Sequence, residues 1–105
     1  MKTELGEIIA ERFLWILDQD GDKSVAKVLL GRPLRKENSK DVVAPYQIDY
    51  CGKRRLWYAA GIDGFQALQL AMKMINVELE AIKRADNVTI IWEGDASGKL
   101  GFDDA

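Results

Sequence analysis

Hydrophobic and polar positions alternate through the first sixty residues and then change period. Residues 7–17, EIIAERFLWIL, are rich in β-branched and aromatic types and predict a strand. DQDGDK at 18–23 supplies turn chemistry, with Gly21 free to take positive φ, and SVAKVLLG at 24–31 predicts the returning strand of a hairpin. RPLRKENSKDVV reads as a polar connection, with Pro33 ending the strand. In PYQIDY, Tyr46, Ile48 and Tyr50 share one face, and Gln47 and Asp49 the other. After a CGK turn, RRLWYAA predicts the second strand of another hairpin.

From residue 63 the period becomes 3.6. Asp63 is a good N-cap, and Gln66 stands three residues on, as a capping box requires. Gln66, Gln69, Lys73, Asn76, Glu80 and Lys83 make one polar stripe. Phe65, Leu68, Ala71, Met72, Ile75, Leu79 and Ile82 form one apolar flank, and Ala67, Leu70, Met74, Val77 and Ala81 the other. This arc covers about 220°, roughly twice the stripe of a surface helix, so the helix is expected to be covered on more than one side. NVTIIWE at 87–93 predicts a last strand, and GDASGKLGFDDA is a Gly- and Asp-rich tail.

The expected fold class is α+β: a mostly antiparallel sheet of four to five strands, ordered β-β-β-β-α-β, with one long helix packed on one face. Residues 1–105 are expected to form a single domain, with an ordered core over about 6–93 and a tail at 94–105. The expected core includes Ile48, Tyr46 or Tyr50, Leu56 or Trp57, Leu68, Ile75 and Leu79.

One position breaks the pattern: Glu78 lies on the apolar side of the helix. A helix over 63–85 is about 34 Å long, whereas strands of six or seven residues span about 20–23 Å. The last turns are therefore expected to overhang the sheet. That exposes Val77, Ala81 and Ile82, with a symmetric copy as their cover. Glu78 is expected either at the rim of that interface or paired with Arg12, Arg54 or Arg55, because a lone buried carboxylate is very costly. The competing arrangement has the tail cover these turns through Leu100 and Phe102. The interface candidates are thus Val77, Glu78, Ala81 and Ile82, and the helix cap is Asp63 with Gln66.

Composition narrows the chemistry. The 105 residues carry a net charge of −2 and include no histidine. That removes the commonest general base, the Ser-His-Asp and Cys-His systems, and the usual zinc ligand. The single cysteine, Cys51, stands beside Lys53, Arg54 and Arg55, which favour a thiolate, but no base accompanies it. One cysteine permits no internal disulfide, which favours a reducing, cytoplasmic setting. Asp18, Asp20 and Asp22 mimic the start of a calcium loop, but Lys23 and Leu29 stand where that loop needs glycine and glutamate. The longest apolar run, FLWIL, falls far short of the roughly 20 residues that span a bilayer. No enzyme activity, catalytic residue, metal site, cofactor or membrane association is expected.

Between Arg32 and Arg55 seven basic residues and three acidic ones are interleaved with aromatics, a pattern some single-strand RNA binders share. The same aromatics serve as core under a helix, so nucleic acid is not the expected partner. Trp15, Trp57 and Trp92 lie one per expected strand, and tryptophan is enriched at interface hot spots. With the wide apolar helix, this favours a protein–protein interaction module acting as a homodimer. An antitoxin- or immunity-like role follows by analogy alone with other small acidic domains. The alternative is a small-ligand-binding domain with a pocket between sheet and helix.

Taken together, IAER at 9–12, GRP at 31–33, PYQI at 45–48 and GIDGFQALQLAMKMI at 61–75 resemble a set of small bacterial proteins grouped as a domain of unknown function. Its members carry a P-Y-x-I strand followed by G-x-D-x-x-Q-A-L and an apolar helix. The similarity covers most of residues 8–80 and extends weakly to the GD…GF tail. Many members have cysteine just before the Pro-Tyr pair, where this chain has Ala44. The resemblance implies a bacterial source and a compact single domain, and it implies no activity.

Overall fold

In the computed structural model, residues 4–93 and 99–102 are described. The strands are β1 (Ile8–Leu17), β2 (Lys23–Gly31), β3 (Leu34–Arg35), β4 (Val42–Tyr50), β5 (Lys53–Gly61) and β6 (Thr89–Ile91), and the one helix, α1 (Gly64–Asp86), stands between β5 and β6. All strand pairs are antiparallel: β1 joins β2 and β6, β4 joins β2, β3 and β5. The β-β-β-β-α-β reading is correct in class and direction, with one addition. The two-residue β3 pairs Val42 and Val43, the start of a β4 longer than PYQIDY. Pro45, which has no N–H to give, stands between the β4 residues that meet β3 and those that meet β2.

The first hairpin turn organises itself. Asp18 Oδ1 accepts from the backbone N–H groups of Asp20 (2.9 Å) and Asp22 (2.8 Å), and Gly21 takes φ 83°. The second turn has two residues rather than three: Cys51 and Gly52 both adopt positive φ, and Tyr50 pairs Lys53 directly. This length decides which side chains of β5 face the helix. Lys53, Arg55, Trp57 and Ala59 stand opposite Tyr50, Ile48, Tyr46 and Ala44, on one face.

The cap forms as the spacing predicts. Asp63 Oδ1 accepts from the Gln66 N–H at 2.8 Å, and Gln66 Oε1 accepts from the N–H of Ile62 at 2.8 Å, one residue before the cap. Asn87 ends the helix in the left-handed region, beside Lys83 and Arg84 in the last turn.

The core lies between α1 and one face of the sheet. Ala67, Ala71, Ile75, Leu79 and Ile82 from the helix pack with Leu14, Ile16, Ala26, Val28, Ala44, Tyr46, Ile48, Tyr50, Ala59 and Ile90. Tyr46 and Tyr50 are both buried. Leu68 is packed against the core from its edge, while Leu56 is half-buried and Trp57 is exposed.

The overhang does not occur. β1 has ten residues and β2 nine, and ten residues at 3.4 Å span about 34 Å, the length of the helix. Ile82, expected at an interface, is 1% exposed, and Ala81 is half-buried. The segment read as a tail also closes the core, because Leu100 is buried with Ile82 and Phe102 packs alongside. The ordered core therefore extends past residue 93. No helix among the described residues is long and apolar enough to cross a membrane.

Candidate functional site

Glu78 lies in the second half of α1, and the strands below supply its partners. Register places Tyr46 of β4 and Arg55 of β5 on the helix-facing side. The Tyr46 hydroxyl donates a short hydrogen bond to Glu78 Oε2. Arg55 Nη1 lies 3.6 Å from Glu78 Oε1, and Arg55 Nε donates to the Tyr50 hydroxyl at 3.3 Å. Of the three arginines considered from the sequence, Arg55 is the partner, while Arg54 turns to the open face and pairs Asp49 at 3.4 Å.

The electrostatics suit a structural role. Burial, then the hydrogen bond to Glu78, hold the Tyr46 hydroxyl well above its ordinary pKa, so it stays neutral and donates. Arg55 is pushed above its already high range, first by the bond to Tyr50 and secondarily by the charge of Glu78, against partial burial. The carboxylate, phenol and guanidinium satisfy one another. Glu78 is the helix's contribution to this network, which answers why an acid stands on the apolar side.

Beside the network the surface is apolar and uncovered. Trp57, Met74 and Val77 with Tyr46, Lys73 and Glu78 line a shallow cleft of about 340 Å³. Val77 is 63% exposed and Trp57 53%, and Leu70 is exposed one helical repeat away. Trp57 stacks on Tyr58 with ring centroids 5.1 Å apart. Of the four interface candidates, Val77 is open to solvent, Glu78 borders the cleft, Ala81 is half-buried and Ile82 is internal. Trp57 and Leu70 belong to this surface too. The 3.6 period carried the signal for Leu70, which shares Val77's flank of the helix.

The other sheet face also shows aromatics, each with a lysine beside it, and Phe13 there is 55% exposed. Lys23 Nζ lies 4.6 Å from the Trp15 ring and Lys27 Nζ 5.9 Å from the Phe13 ring. Cys51 is exposed at its turn, with Ser24 Oγ 3.8 Å from its sulfur. No cluster of metal-ligating side chains occurs among the described residues.

A second cavity lies at the opposite side of the helix, under the final segment. Ala10, Glu11, Arg12, Val28, Leu30, Met72, Ile75, Gly101 and Phe102 enclose about 140 Å³. Arg12 donates from Nη1 to the Leu100 carbonyl at 2.8 Å. Its guanidinium is 3.8 Å from the Trp92 ring centre and 4.8 Å from that of Phe102. Gly101 takes φ 79°, and a Cβ there would lie 2.5 Å from Trp92 and 2.7 Å from Arg12 Nη1. Only glycine permits this closure.

The family model of a domain of unknown function, DUF6968, matches residues 10–104, a span that includes the closing segment. No curated protein and no solved structure matches the chain.

Proposed function

We propose that this chain, a member of the DUF6968 family of unknown function, works by binding another protein chain rather than by catalysis. The observation that carries the reading is the uncovered strip of Leu70, Val77 and Trp57 beside the free edge of β5. Exposed apolar side chains grouped beside an unpaired strand mark interaction surfaces, and tryptophan is a favoured anchor there. Glu78 lends rigidity to the strip, because its bonds to Tyr46 and Arg55 tie helix to sheet at the cleft.

A second copy suits the strip. In an antiparallel pairing of two α1 helices about an axis near Met74 and Val77, Leu70 meets the second copy's Ala81 and Lys73 approaches the second copy's Glu80. Like surfaces then cover one another, as two-fold symmetry requires. Sedimentation velocity at micromolar concentration tests the reading. Wild type should sediment as a dimer, Val77→Glu as a folded monomer, and Val25→Glu on the other sheet face as a dimer. A wild-type monomer ends the homodimer reading. Ile82→Glu is unsuitable, because it would place a charge in the core.

A small-ligand function is the second reading, and the cavity beside Arg12 favours it.

A further inference from the structure

Arg12 is placed to bind something that the described residues do not provide. It projects from β1 onto the helix-facing side, opposite Val28, where the helix and β2 contribute aliphatic side chains. Among the described residues no carboxylate lies within ion-pair distance of it, and the only acidic residue bordering the cavity is Glu11. Glu11 is exposed and pairs Leu29, so strand alternation turns its side chain to the opposite face. An arginine in a half-enclosed apolar site normally gains a carboxylate or phosphate partner. Arg55, in the same layer, has one.

The surroundings fix the guanidinium without neutralising it. The rings of Trp92 and Phe102 set its plane, and the Leu100 carbonyl takes one N–H. A guanidinium carries five N–H donors, so a fork remains for a planar anion. Among the described residues no buried side-chain nitrogen or oxygen lacks a partner, so the remaining N–H groups open onto the cavity or solvent rather than into packed atoms. The rest of the wall is aliphatic: Val28 and Leu30 from β2, Met72 and Ile75 from α1.

These features define a ligand class: one carboxylate on a short aliphatic chain. A volume of 140 Å³ holds about five groups the size of a water or a methylene, at about 30 Å³ each. A short chain fills that volume, whereas a long acyl chain or a nucleotide would extend from it into solvent. A compact inorganic anion would leave the aliphatic wall without contact. We propose that this cavity binds a short-chain aliphatic monocarboxylate, its carboxylate on Arg12 and its chain against Val28, Leu30, Met72 and Ile75. The segment Leu100–Phe102 is the cover of the site, and Gly101 is the point where cover and arginine meet. The site shares no residue with the Val77 strip, so either proposal can fail without the other.

Butanoate is the probe, with butylamine and sodium chloride at equal ionic strength as controls. A ligand that binds only the folded state raises its melting temperature with concentration. Butanoate should raise the midpoint progressively and show saturable heat in calorimetry, whereas butylamine and chloride should do neither. Arg12→Gln should weaken butanoate binding at least tenfold. Because that change also loosens the closing segment, Met72→Trp serves as the second variant. It fills the cavity while keeping Arg12, Trp92 and Phe102, and should also weaken binding at least tenfold. No saturable binding of butanoate to wild type overturns the proposal. So does butylamine binding as well as butanoate, or butanoate binding that survives Met72→Trp.

Discussion

Two arginines enter the layer between sheet and helix, and the chain treats them differently. Arg55, on edge strand β5, is met by Glu78 from the helix and by the Tyr50 hydroxyl. Arg12, on β1, is met by two aromatic faces and one carbonyl. The first arrangement cancels the charge with an acid of the chain itself. The second fixes the position and leaves the charge. A paired ion in a partly buried site is a structural tie, whereas a held but unneutralised one is a site for an external anion. The acid that looked anomalous in the sequence is thus the ordinary case, and Arg12, weighed in the sequence only as its partner, is the unusual one.

The comparison can be broken in graded steps. The largest effect should come from the core that both arginines border: Ile82→Ala should cost about 2–5 kcal/mol, the usual penalty for a buried large-to-small change, in urea unfolding. A near-neutral result would return Ile82 to the surface. Next, Glu78→Leu should cost about 1–3 kcal/mol by stranding the Tyr46 hydroxyl and Arg55 together. Adding Arg55→Leu to it should recover part of that loss, because both charges are then gone. Arg12→Met should cost less, about 0.5–2 kcal/mol, since it removes ring contacts and one hydrogen bond rather than an ion pair.

The smallest effect is one of pH. Tyr46 is neutral in the fold well above the value near 10 of a free tyrosine. A raised folded value gives stability that is full below the unfolded value and declines as pH rises from there toward the folded one. Unfolding midpoints should therefore fall above about pH 10, and less so in Tyr46→Phe. Absorbance titration should show a tyrosine component that resists ionisation and is lost in Tyr46→Phe; a titration unchanged by that substitution in shape would remove Tyr46 from the network.

Much of the fold could be read from local pattern. The hairpin turns, the Asp63 cap and the change of period each rest on residues a few positions apart. The need of Glu78 for an arginine was equally legible, since desolvation permits few alternatives. Which arginine was not, because it depends on a single residue of turn length. A three-residue CGK turn would pair Tyr50 with Arg54 and bring Arg54 toward the helix; the two-residue turn brings Arg55. The false overhang came from strand length. VVA before Pro45 read as connection, and the first hairpin was measured by its neighbours. Cover by Leu100 and Phe102 was the competing reading of the tail, whereas the contact of this segment with Arg12 left no local trace, for it forms only after the chain returns to β1. The two-residue β3 is too short to leave a periodic trace.

The contrast between the arginines can be read in one spectrum. Their side-chain Nε–Hε resonances, followed by NMR while butanoate is added, report both groups under identical conditions. The account predicts that the Arg12 signal moves along a saturable curve and that the Arg55 signal stays fixed, held by Tyr50 and Glu78. A stationary Arg12, or an Arg55 that moves with it, would contradict the claim that one charge is settled within the chain and the other is left for a ligand.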